Sequence, residues 1–253
     1  ETLDTHFGLQ AVWGTNANNV WAVGGGCLNP LYCTGAILKW NGSVWSTQDS
    51  GITTTLNGVW GTDSANIWTV GDAGIILKAN GSVWGAQTRG TEKNLRSVWG
   101  TDASNVWAVG DQGTILKWNG INWTEQSIST PFSLVGVWGT DANNVWAVGD
   151  YGTILKWNGS VWSPQSSGTT DSLYSVWGTD ANNVWVMGRA NGAILKWNGT
   201  SWSTQNLDAT DYLLAAWGTD ANNIWVVGGG GTILWKHTNQ LVVTVAGNGS
   251  GSV

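Results

Sequence analysis

Between Asn94 and Gln126 the apolar positions do not recur at the three- and four-residue spacing of a helix. They fall in short alternating runs, "NLRSVWG" (Asn94 to Gly100), "NVWAVG" (Asn105 to Gly110), "GTILKW" (Gly113 to Trp118) and "INWTEQ" (Ile121 to Gln126). Period-two runs of this length, rich in Val, Ile and Trp, predict four short strands. Polar breaks separate them: "TDAS" after the first, "DQ" after the second and Asn119-Gly120 after the third. Asn-Gly between apolar runs predicts a two-residue type I′ hairpin, whose central residues need positive φ. The same dipeptide stands at Asn41, Asn80, Asn158 and Asn198.

This pattern is written six times. Its "WG" Trp falls at Trp13, Trp60, Trp99, Trp138, Trp177 and Trp217. A period near 40 carrying several strand patterns and no helical one is the mark of propeller blades. The prediction is an all-β, six-bladed β-propeller with four antiparallel strands per blade. It forms a single domain over 1–246, with blades near 8–50, 51–90, 91–129, 130–168, 169–207 and 208–246. The closing "GNGSGSV" (247–253) reads as a flexible linker or tail.

Composition sharpens this picture. The chain holds 22 Trp and 37 Gly but only two Phe and one Met, so indoles must fill the gaps between sheets. A buried Trp removes about 150–250 Å² from water, worth on the order of 4–6 kcal/mol as an upper bound. Most of the Trp is therefore expected in inter-blade packing. A formal net charge of −6 argues against nucleic acid, which demands a basic footprint. No apolar run is long enough for membrane insertion as a helix.

Material for catalysis is scarce. Two His, two Cys and three Glu offer little for nucleophilic or metal chemistry, and the reading is a non-enzyme without cofactors. Asp63, Asp102, Asp141, Asp180 and Asp220 recur in one turn and read as turn formers. Cys27 and Cys33 lie in an eight-residue insertion and read as a disulfide, which implies an extracellular or cell-surface location. Zinc is disfavoured because only His6 and His237 could complete a site.

The loop between the second and third strands differs from copy to copy. It carries Asp72, Asp111 and Asp150 in copies two to four, but Gly25, Arg189 and Gly229 in the others; Gln112 and Tyr151 follow two of the Asp residues. Variation on one face of a uniform scaffold marks either a binding surface or the drift of solvent-exposed loops.

The copies share "L..VWG.D...VWAVG..G.ILKWNG..W", as in Leu95 through Trp123, over nearly the whole chain. In this they resemble tectonin-type repeats and bacterial Trp-rich propeller repeats of cell-surface proteins. The resemblance implies a six-bladed lectin that binds saccharides through repeated shallow sites. A sugar wants an aromatic platform beside Asp, Asn or Gln. Trp45, Trp84, Trp123, Trp162 and Trp202, on the outermost strands, are the candidate platforms, with Asp72, Asp111, Asp150, Gln112 and Tyr151 as further ligand-binding candidates. Glycans or a glycosylated surface are the expected partners. The alternative is a non-catalytic protein-interaction or adhesive scaffold. Asn-Gly-Ser/Thr at Asn41, Asn80, Asn158 and Asn198 matches glycosylation acceptors, although hairpin chemistry already explains it.

Overall fold

In the third copy the strands are Leu95–Asp102, Asn105–Gly110, Ile115–Trp118 and Trp123–Glu125. They pair in chain order, and every sheet of the molecule is a four-stranded antiparallel meander of this kind. A computed structural model describes residues 8–29, 32–81, 83–128, 130–188, 194–205, 211–237 and 240–245. The 247–253 tail and Arg189 lie outside them. Six sheets use up six copies, and each sheet draws all its strands from a single copy. The chain divides into two compact units, Glu1–Pro131 and Phe132–Val253, of three blades each.

Within each unit the blades are joined by indoles. In the first, Trp68 and Val70 of blade two pack against Leu95, Val106, Leu116, Trp118 and Trp123 of blade three. In the second, Trp146 and Val148 of blade four meet Leu173, Val184, Leu195 and Trp197 of blade five. Trp68, Trp107 and Trp146 are completely buried. Their indole N–H groups find no partner, so about 1–3 kcal/mol of each burial is forfeited to desolvation. A lysine offsets part of this from across the strand. Lys156 Nζ lies 5.1 Å from the Trp146 ring and 5.1 Å from the Trp197 ring of the next blade. Burial there pushes its ammonium pKa down, while the two π faces attract the charge.

The first-to-second strand turns are Asp-centred. Asp141 Oδ1 accepts the Asn143 backbone N–H at 2.8 Å, while Thr140 Oγ1 donates to Oδ2 at 2.9 Å. Asp63, Asp102, Asp180 and Asp220 repeat the arrangement. Asp63 is held below the usual carboxylate range chiefly by Asn66, and Asp220 chiefly by Asn223. At Asp180 the Asn182 N–H leads. At Asp102 and Asp141 burial pushes upward and is outweighed by the N–H groups of Ser104 and Asn143 together with side-chain donors. These five carboxylates hold their own turns.

The third turn corrects the type I′ expectation. Gly42, Gly120, Gly159 and Gly199 have φ between 95° and 99°, but none of the Asn residues before them has positive φ. Asn119 Oδ1 instead accepts the N–H of Ile121 at 2.9 Å and of Asn122 at 3.0 Å, closing a four-residue loop between the paired Trp118 and Trp123. The short amide side chain competes for the backbone donors and lengthens the turn. Blade two differs, since Asn80 pairs directly with Val83.

Blade six departs from the repeat. Where blades one to five place Lys opposite the second-strand Trp, Trp235 stands opposite Trp225, with ring centroids 6.2 Å apart at 18°. Its last strand, Gln240–Val245, completes the same sheet.

Candidate functional site

Each first strand carries a bulge just after its leading Leu. In blade three Leu95 pairs with Gly110 and Ser97 with Val109, so Arg96 is the extra residue. Registers in the other blades leave Gln10, Asn57, Val135, Tyr174 and Leu214 at the same place. The preceding Leu and the following Val-Trp hardly change, yet this position holds a different residue in all six copies. A bulge frees a side chain from the ladder and re-aims it. Sequence reading missed the set because one copy alone shows only a strand residue. Aligning the six copies on their "WG" reveals it.

Beside the bulge runs the turn from strand two to strand three, a single 3-10 turn over Asp72–Gly74, Asp111–Gly113 and Asp150–Gly152. The Asp backbone N–H donates to the residue before the first strand: Asp72 to Thr55, Asp111 to Asn94, Asp150 to Ser133. The middle residues, Ala73, Gln112 and Tyr151, hold φ of 54° to 55°. This left-handed region costs an L-residue about 1–2 kcal/mol. Blade six places Gly230 there, at φ 59°. Gly74, Gly113 and Gly152 are needed next, because a Cβ on any of them would strike the backbone oxygen of Thr91, Thr130 or Thr169.

In the first unit the Asp side chains are tied to the bulge residues. Asn57 Nδ2 donates to Asp72 Oδ1 at 2.9 Å and to the Leu95 carbonyl at 2.9 Å. Arg96 makes a two-pronged bond to Asp111, Nε to Oδ1 at 2.8 Å and a terminal nitrogen to Oδ2 at 2.9 Å. In the second unit the bulge residues are Val135, Tyr174 and Leu214, and the Ser172 hydroxyl caps Asp150 at 3.0 Å. Tyr151 is 66% exposed, and its ring sits 4.6 Å from that of Phe132. Tyr212 lies across Gly229, where a Cβ would collide with its ring. In the first unit these positions are polar; in the second they are aliphatic and aromatic.

The outer-strand tryptophans are placed differently. Trp123 is buried in the blade-three core, with its N–H unpartnered. Trp45, Trp84, Trp162 and Trp202 are half-buried. Trp45, Trp123, Trp162 and Trp202 each tilt against the last Trp of strand three at 5.5 to 5.7 Å. Cys27 and Cys33 are direct cross-strand partners; their side chains lie outside the described residues. Among the described residues no three His, Cys, Asp or Glu gather as metal ligands, and no helix is long and apolar enough to cross a membrane.

No protein-family model and no curated protein matches the chain. Solved structures of similar fold do. YCF48 bound to a D1 peptide superposes with a TM-score of 0.74 at 16% identity, over 95% of this chain and 82% of that one. YCF48 from Cyanidioschyzon merolae gives 0.72 at 16%, over 96% and 87%. The WD40 β-propeller domain of Doa1 gives 0.72 at 13%, over 94% and 83%. The class is therefore settled at the level of fold: an all-β, six-bladed β-propeller with Trp-rich repeats. These three structures are YCF48 and WD40 propellers, and none of the three is a tectonin-type lectin.

Proposed function

We propose that the chain is a non-catalytic interaction scaffold whose blades contact a polypeptide through the strand-one bulges and the turns from strand two to strand three. One observation carries this reading. The bulge position presents Gln10, Asn57, Arg96, Val135, Tyr174 and Leu214, six chemistries on six equivalent frames. A polysaccharide with repeated units calls for the same contacts in every blade. A polypeptide, whose side chains differ along its length, calls for different ones. The Asp turns that do repeat are occupied in holding their own hairpins, and Trp68, Trp107 and Trp146 are buried between strands. A similar fold engages a peptide in the YCF48–D1 complex, which supports the same use here.

The cross-strand pairing of Cys27 with Cys33 supports a disulfide, and with it an extracellular or cell-surface setting. Panning a displayed random-peptide library on the purified protein, alongside a glycan array, tests the function. Enriched peptides whose binding falls on changing Asn57, Tyr174 or Leu214 support the scaffold. Glycan binding with no peptide enriched returns the lectin reading and removes this one.

A further inference from the structure

The second unit concentrates the chain's non-Trp aromatics at these positions. Of four Tyr and two Phe in the sequence, Tyr151, Tyr174, Tyr212 and Phe132 all stand at its turns and bulges. None stands in the cores between blades four and five or five and six. Tyr151 keeps a left-handed backbone where its counterpart in blade six is Gly. Ala73 and Gln112 share that conformation, so it belongs to the turn; what sets Tyr151 apart is a large ring left mostly exposed, with Phe132 beside it.

Carboxylates border these rings. Asp150 accepts the Ser172 hydroxyl, Asp171 the Thr169 hydroxyl at 2.9 Å, and Asp211 the Thr232 hydroxyl at 3.4 Å. Hydroxyl donors leave the negative charge uncompensated, and among the described residues no cation pairs with any of the three. The first unit differs at the matching place, where Arg96 neutralises Asp111. Exposed Tyr and Phe beside unpaired carboxylates suit a guanidinium or ammonium on an apolar stem. The rings take the stem and the π-facing charge, and the carboxylates take the polar head. Tyr is also among the residues enriched where protein partners anchor.

We propose that the turns and bulges of the second unit that carry Phe132, Tyr151, Tyr174 and Tyr212 bind a polypeptide segment in which Arg or Lys alternates with aliphatic residues. This rests on the scaffold reading above and names its partner's chemistry.

Fluorescence anisotropy with three labelled peptides tests it: alternating Leu and Arg, its charge-reversed form with Leu and Glu, and a stripped form with Ser and Arg. The Leu–Arg peptide should bind at least about tenfold tighter than either control, a gap of about 1.4 kcal/mol. Tyr151→Gln should weaken it about tenfold while leaving the fold intact, because blade three already carries Gln112 in that turn. Asp211→Asn should weaken it and flatten its salt dependence. Equal or tighter binding of the Leu–Glu peptide, or no effect of Tyr151→Gln, overturns the proposal and leaves the scaffold reading standing. Failure of these peptides and of the random library together removes both.

Discussion

Replacing Ala by Gly should have opposite signs at two positions of this molecule. Ala73 sits at φ 54°, exposed, in the strand-two turn of blade two. Relief of left-handed strain there contributes about 1–2 kcal/mol, against about 0.5–1 kcal/mol for the greater entropy of Gly in the unfolded chain. The net for Ala73→Gly is a gain of about 0.5–1 kcal/mol. Ala108 lies fully buried in the middle of a strand. Ala108→Gly incurs the same entropy without relief and also loses a buried methyl worth about 0.8 kcal/mol. Its net is a loss of about 1.3–1.8 kcal/mol. Urea denaturation followed by Trp fluorescence reads both as midpoint shifts at constant slope. For Tyr151→Gly the gain should vanish, since the Phe132 ring contact, about 0.5–1.5 kcal/mol, goes with it. If Ala73→Gly destabilises as Ala108→Gly does, the turn is unstrained and the reasoning from its φ fails.

Three further outcomes are expected. Trp146→Ala should cost about 3–5 kcal/mol, whereas Trp146→Phe should cost far less, because it also removes the unpartnered N–H; calorimetry or urea titration compares them. The Asp turns predict loss of stability in acid: folded pKa values lie below the unfolded 3.8, so the unfolded chain binds more protons as pH falls. Their stabilisation is complete above the unfolded pKa and disappears as pH drops through the folded values, and Asp141→Asn should reduce this slope in a pH series of urea midpoints. Thiol titration of the unfolded, unreduced protein should find Cys27 and Cys33 unreactive, and reduction should expose both.

The fold was legible because the copies agree with one another. Turn signals, period and strand alternation point to the same four strands in blade three, and the observed bounds match within one or two residues. The site was less legible for physical reasons. The left-handed turn at Gln112 does not announce itself, since nothing in "DQG" demands positive φ before the glycine. The outer Trp residues carry the same letters whether they pack or face solvent, and only the tilted pairing, as of Trp118 with Trp123, decides. Arg96 was visible as a charge inside a strand, but its bulge emerges only from the register against Val109 and Gly110.

Because each sheet closes its hydrogen bonding within one uninterrupted copy, the coding segment for a blade is a cassette complete in its own strand ladder. Unequal recombination between near-identical segments can add, remove or reshuffle cassettes without severing any strand ladder. New combinations of bulge residues then arise wholesale, by exchange of blades, faster than point substitution alone could assemble them.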